Sequence, residues 1–385
     1  MSNSNASEKY LKWLKEELEE GNIDFYEYSL FRNVKEIGKG GFGFIYSAEY
    51  DYDEVKVAFK TKEATKEFVS ELKHLRAMKF NSYINQFYGI TIEPKTEYLM
   101  LVLQFADGGN LRQYLQRKWH ENVFRISLNE IIKIAKQITL GLYRLHENNI
   151  IHCDLHPKNI LINDGKFLIA DFGLIATSQG APAYIDPLCH QPQVPQIKRN
   201  KKSDVYSLGV IFWELTSGTV PFDNAVNGLV VCIQILQGYR YDIIPGTPPN
   251  FAGLYQNCWD IDPQKRPTTK EILEILNKIS EEIVAEEFIT NDNRDLTPIL
   301  TRNGTPNLLS VGPSVQILNE PNLKNLKKSS TDDAIELKAQ GLILYETNNY
   351  EDSLNLLSKS LKINPDDADA LKFRGLTYFK QKESI

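Results

Sequence analysis

Four short motifs follow one another in a fixed order along residues 38–173: Gly38-Lys39-Gly40-Gly41-Phe42-Gly43, Val57-Ala58-Phe59-Lys60, His152-Cys153-Asp154-Leu155-His156-Pro157-Lys158-Asn159 and Asp171-Phe172-Gly173. Each is weak alone. Together, in this order, they restrict the chain to folds that gather them into one phosphate-handling site. Gly38, Gly40 and Gly43 let the backbone approach phosphate oxygens with no Cβ in the way. The same GxGxxG spacing occurs in dinucleotide-binding turns, but those need a helix directly afterwards. Here residues 44–48 and 55–59 alternate as strands, and no GxxxxGK[ST] loop is present.

Composition removes several classes. A chain of 385 residues fits two domains, and 42% hydrophobic with 24% charged residues describes a globular protein. A net charge of −6 gives no electrostatic case for nucleic acid or an anionic membrane as partner. No apolar run approaches the ~18 residues that span a bilayer. The run Val210-Ile211-Phe212-Trp213 is too short, with Asp204 and Glu214 nearby. The first residues lack the basic start and apolar core of a signal peptide. Cys153, Cys189, Cys232 and Cys258 form no CxxC pair, which suits a reduced, cytoplasmic protein without structural zinc.

The chain divides into four parts. Residues 1–27 hold an amphipathic helix, with Tyr10, Leu11, Trp13, Leu14 and Leu18 at helical spacing. It either packs on the domain that follows or binds a partner. Residues 28–285 form one domain: mostly strand to Phe105, broken by a helix near 64–79, and mainly helical from Leu111. Residues 286–330, rich in Asn, Thr, Pro, Lys and Ser, read as a flexible linker. In 331–385, Ala334, Gly341 and Leu342 recur as Ala368, Gly375 and Leu376, a period of 34. Together with Leu354, Leu357, Leu361 and Asn364-Pro365, this resembles one whole tetratricopeptide repeat and the first helix of a second. Such a repeat implies a protein or peptide ligand. Its small residues Ala334, Gly341 and Ser353 would let the helices approach closely.

On its four motifs, the region 28–285 resembles a eukaryotic protein kinase of the tyrosine-kinase-like group. The resemblance implies an α+β bilobal fold, with a small β-rich lobe and a large helical lobe, followed by the α-helical repeat segment. ATP would bind between the lobes with Mg2+. Lys60 would reach the α- and β-phosphates, held by a glutamate on the next helix. Glu71 is chosen over Glu63 and Glu67 because it shares a face with Phe68, Leu72 and Leu75. Ile37, Gly38, Gly40, Gly43, Ile45, Ala58 and Leu161 would surround the nucleotide. Leu103 would be a gatekeeper, and the backbone of Gln104 and Ala106 would meet the adenine edge. Asp154 would orient and deprotonate the attacking hydroxyl, assisted by Lys158, while Asn159 and Asp171 would hold magnesium. Asp204 would bond the catalytic-loop backbone.

The resemblance is incomplete. The family's Arg before the catalytic Asp is Cys153, either reactive or a buried inert thiol. The lysine of Ser/Thr kinases two residues after Asp154 is His156. Gly180-Ala181-Pro182-Ala183-Tyr184 lacks the usual Thr, and Leu188 stands where Ala-Pro-Glu has its glutamate, leaving Arg266 without its family partner. These changes fall on the substrate platform. The sequence therefore supports a Ser/Thr-directed protein kinase acting on protein substrates. Its rival is a nucleotide-binding pseudokinase scaffold that works through the repeat.

Overall fold

A computed structural model describes residues 2–300, apart from 41–42, 52–54, 63–64, 97, 174–181, 191–198, 224–227, 284–286, 294–295 and 297–298. Beyond these it describes 337–338, 341, 345 and 350–383 except 366. Ala181, most of the linker, and Ala334 and Leu342 lie outside the described residues. By internal packing the chain forms two units, Met1–Pro221 with Ile243–Leu296, and Phe222–Asp242 with Thr297–Ile385.

In the first unit, helix α1 (Ser2–Glu19) precedes strands β1 (Phe31–Gly40), β2 (Gly43–Tyr50) and β3 (Lys56–Lys62). Helix α2 (Lys66–Ala77) and strands β4 (Phe87–Ile92) and β5 (Leu99–Gln104) follow. The five strands form one antiparallel sheet in the order β1-β2-β3-β5-β4. Alternation decides its faces. Phe31, Ala48, Val57, Phe59, Met100 and Val102 make one buried cluster, with the rings of Phe31 and Phe59 edge-to-face at 4.7 Å.

Thr65 caps α2 by accepting a hydrogen bond from the Phe68 amide. Phe68, Leu72 and Leu75, at i, i+4 and i+7, are buried. Glu71 lies between them on that face. The opposite side of α2 meets α1, where Leu14 is buried, Lys73 lies over the Trp13 ring at 5.2 Å and Arg76 pairs with Glu17. The N-terminal helix thus packs on the domain behind it.

The helical part carries α3 (Leu111–Gln116), β6 (Trp119–His120), β7 (Val123–Ser127), α4 (Leu128–Glu147), β8 (Ile160–Asn163), β9 (Lys166–Ile169) and α5 (Lys201–Ser217). Every residue of α5 from Ser203 to Ser217 is buried, the polar Asp204 and Glu214 included. Asn200 starts it with a capping box and Gly218 ends it in the left-handed region. Further along come α6 (Gly228–Leu236) and β10 (Tyr239–Arg240) of the second unit, then α7 (Pro249–Cys258) and α8 (Thr269–Glu282) of the first.

One expectation is corrected. The flexible linker was placed from 286, yet β11 (Phe288–Asn291) pairs antiparallel with β7 in a sheet ordered β11-β7-β6. Polar composition hid the strand. Its alternation is short, but Ile289 is buried, Arg125 stacks on Phe288 at 4.0 Å, and the Asn291 side chain donates to the Ser217 carbonyl at 2.8 Å.

In the second unit, β12 (Ile299–Leu300) pairs with β10. Helices α9 (Tyr350–Ile363) and α10 (Ala368–Glu383) pack together, with Phe373 buried against Leu357. Gly341 leaves them room: a Cβ there would lie 2.8 Å from Leu357. The Ser353 hydroxyl donates to the Gly341 carbonyl at 2.6 Å.

Candidate active site

The site grows from β3. Register places Lys60 opposite Ile45 on β2 and Leu101 on β5, so its side chain leaves the sheet beside the glycine loop. Gly38 on β1 faces Ile45, and Gly40 faces Gly43 on β2. Lys60 is buried, with Nζ 2.6 Å from Asp171 Oδ1 and 3.5 Å from Glu71 Oε1. Burial alone would push the ammonium down, but Asp171 and then Glu71 outweigh it, so Lys60 is held charged above its ordinary value. Glu71, on the inward face of α2, is thus the glutamate that lies against Lys60 among the described residues. Ile37 is exposed, Ala58 and Ile45 half-buried.

β5 runs into Gln104 and Ala106. The Gln104 amide is already engaged by the Gln86 carbonyl at 2.9 Å. Leu103 lines a small cavity with Glu71, Leu75, Ala170, Asp171 and Phe172. On the other side of the cleft, Leu161 lies on β8, bridged to Asn110.

The loop bearing Asp154 is fixed from below by α5. Asp204 accepts from the His152 amide at 2.9 Å and the Cys153 amide at 3.0 Å, and its Oδ2 lies 2.8 Å from His146 Nε2. Buried His152 has its basicity lowered by desolvation, and its carbonyl accepts from the Gly173 amide at 3.2 Å. Gly173 has φ +73°, and a Cβ there would meet His74 of α2 at 2.2 Å. That close approach needs glycine.

Asn159 Nδ2 donates to the Asp154 carbonyl at 2.9 Å and reaches Asp154 Oδ2 at 3.4 Å. Both amide hydrogens are thus turned to Asp154, which leaves Asn159 Oδ1 as a hard oxygen donor. With the Asp171 carboxylate it forms a two-residue oxygen set of the kind that holds Mg2+ alongside phosphates and water. Asp154 also meets His156 Nε2 at 3.6 Å. Burial would raise the Asp154 carboxyl, but His156 and then His152 hold it below the usual range.

Lys158 does not join this group. It is exposed on a short turn (Pro157–Asn159), and its backbone amide rather than its amine takes part, donating to His156 Nδ1 at 3.2 Å. Desolvation pushes the half-buried Cys153 thiol up to about 12, which favours the inert reading over the reactive one. The Arg199 guanidinium donates to the Cys153 carbonyl.

Two arrangements at the substrate platform escape the sequence. Arg112 of α3 bonds Tyr184 Oη at 2.6 Å and pairs with buried Glu214 of α5 at 2.5 Å, and Tyr184 donates to Glu214 at 2.5 Å. Burial and Glu214 keep that phenol protonated, well above its ordinary value. Arg266 is bound by Asp186 through both nitrogens. A run of motif spacings carries no trace of either, because the partners lie about 30 to 100 residues apart.

A family model described as protein tyrosine and serine/threonine kinase matches residues 31–276, and a tetratricopeptide repeat model matches 341–382. Among curated proteins, serine/threonine-protein kinase STY46 of Arabidopsis thaliana is 30% identical over 262 residues, covering 65% of this chain and 44% of that protein. Tyrosine-protein kinase TXK of Homo sapiens is 30% identical over 266 residues, covering 64% and 48%. Tyrosine-protein kinase Abl of Drosophila melanogaster is 30% identical over 266 residues, covering 66% and 16%. The chain spans less than half the length of each of these relatives.

Proposed function

Because the chain belongs to the protein tyrosine and serine/threonine kinase family, we propose that it transfers the γ-phosphoryl group of ATP to protein hydroxyls, serine and threonine foremost. The observation that carries this reading is the charged Lys60 held between Glu71 and Asp171, together with Asp154 on a loop whose His152 and Cys153 amides are anchored by Asp204. Lys60 holds the α- and β-phosphates in place. Gly38, Gly40 and Gly43 cover them with backbone amides, and Ile45, Ala58 and Leu161 enclose the base. Ala106 and the Gln104 carbonyl face the adenine edge. Asn159 Oδ1 and Asp171 hold magnesium, which when bound offsets the charge that develops on the phosphates. Asp154 orients the substrate hydroxyl and accepts its proton.

The pseudokinase reading drew on an eroded substrate platform. The Arg266–Asp186 pair supplies that platform with an ion pair of its own, so its loss of Glu is no argument for inactivity. The serine/threonine preference follows the similarity to STY46, a serine/threonine-protein kinase, against the tyrosine kinases of similar identity. The C-terminal repeat is proposed to bind a protein or peptide. Among the described residues no helix is long and apolar enough to cross a membrane, and a cytoplasmic location is proposed with it.

The test is incubation of the purified chain with radiolabelled ATP, Mg2+ and generic protein substrates, followed by phosphoamino-acid analysis. Label on serine and threonine is expected. Absence of label on substrate and on the chain itself overturns the enzyme reading, and label on tyrosine alone overturns the specificity.

A further inference from the structure

His156 stands in the catalytic loop between two polar contacts that have different requirements. Its Nδ1 accepts a hydrogen bond from the Lys158 amide at 3.2 Å. A ring nitrogen that accepts carries no proton, so in the neutral ring the proton sits on Nε2. That nitrogen faces Asp154 Oδ2 at 3.6 Å, with both side chains largely enclosed, 16% and 19% exposed. The ring also lies 6.3 Å from the Tyr184 ring, which limits how it swings. At 3.6 Å the contact is electrostatic rather than a formed hydrogen bond. Such contacts in ligand-free sites shorten once substrate is bound.

The two oxygens of Asp154 are therefore unequal. Oδ2 is approached by His156 Nε2 and by Asn159 Nδ2 at 3.4 Å. Among the described residues Oδ1 has no protein partner. A carboxylate free to rotate presents either oxygen to a substrate, whereas one gripped at Oδ2 presents Oδ1.

We propose that His156 is a positioning residue for Asp154: its Nε2–H grips Oδ2 and leaves Oδ1 as the oxygen that receives the substrate hydroxyl proton. His156 touches neither nucleotide nor substrate in this role. It acts through the carboxylate, and the exposed Lys158 contributes the amide that fixes the ring's tautomer. The inference rests on the phosphotransfer reading above, so its test includes one measurement that needs no activity.

That measurement is the nitrogen-15 spectrum of the His156 imidazole in the full chain, with His156→Gln used to assign it. A proton on Nε2 is expected in the wild type. A proton on Nδ1 overturns the proposal whatever the chain's activity. The second measurement is kinetic. His156→Phe keeps a ring but removes the donor, and is expected to lower kcat by about tenfold or more with the KM for ATP changed less than about twofold. His156→Gln restores a nitrogen donor of similar reach and is expected to recover most of that loss. In an Asp154→Asn background, His156→Phe should change the residual rate and the nucleotide affinity little, because its target is gone. Three results overturn the proposal: equal damage from Phe and Gln, an undiminished effect in the Asp154→Asn background, or a loss expressed mainly in the KM for ATP. The last would make the imidazole a phosphate contact. If the wild type transfers no phosphate while the Nε2–H tautomer is present, the enzyme reading fails and the side-chain pair stands.

Discussion

Arg266 and Asp186, 80 residues apart in sequence, meet in a buried two-bond ion pair at 2.7 and 3.1 Å. Arg266 also donates from Nε to the Asp260 carbonyl and from Nη1 to the Lys202 carbonyl, and its guanidinium lies 5.2 Å from the Tyr206 ring. The carboxylate thus enters two residues earlier than the glutamate of the Ala-Pro-Glu pattern, and the arginine's fork is still filled. Removing one partner leaves a bare buried charge. Asp186→Ala should therefore cost about 3–5 kcal/mol in a chemical denaturation series. Replacing both, as Asp186→Leu with Arg266→Met, should cost less than either single change. A single mutant as stable as wild type would show that the pair does not hold the two segments together.

Asp154→Asn should reduce phosphate incorporation to a small residual rate and leave nucleotide affinity within about threefold of wild type, since the side-chain contacts of Asp154 are with His156 and Asn159 rather than with Lys60. Radiolabel transfer and a fluorescent-nucleotide titration read the two quantities. Residual incorporation equal to wild type would place the base elsewhere.

Helix α1 braces the outer face of α2 while Glu71 works on the inner face. Deleting residues 2–22 should lower kcat by about tenfold, because a small shift of α2 misplaces Lys60. Glu17→Ala alone should cost under about 1 kcal/mol of stability, being one partly exposed pair. An unchanged rate in the deletion would mean that the strand-to-helix connection after Lys62 suffices to position α2.

Cys153 should resist alkylation in the native protein. A thiol pushed up to about 12 keeps its proton at neutral pH, and the thiolate is the nucleophile. Mass spectrometry after iodoacetamide treatment near neutral pH should find Cys153 unlabelled until the chain is denatured. Labelling as fast as a free peptide would contradict the suppressed-thiolate reading.

The groups proposed to react were legible in the sequence because their chemistry demands fixed types at fixed spacings: Lys60 at a strand end, Asp154 five residues before Asn159, Asp171 before Phe172-Gly173. Glu71 could be selected from three glutamates because burial follows helical period. What stayed hidden depends on the third dimension. Nothing local marks Asp186 as the substitute partner of Arg266, or Arg112 as the cation beside Glu214. The Lys158 side chain is exposed on the turn that starts at Pro157 while its backbone amide donates to His156 Nδ1, an arrangement that motif spacing does not show. The strand at 288–291 was lost in a polar stretch, since four residues with one buried apolar side chain give little period to detect.

That strand also decides where the kinase domain can be cut. Ending a recombinant fragment at 285, or at the last residue of the family match, strips β7 of its neighbour and uncovers the slot filled by Ile289. An exposed sheet edge of this kind invites pairing with another chain, and burying an isoleucine is worth about 1.5–3 kcal/mol. Fragments that stop short should be aggregation-prone in expression trials, and those carried through Asn293 should not, because Asn291 closes on both Ser217 and Asn293.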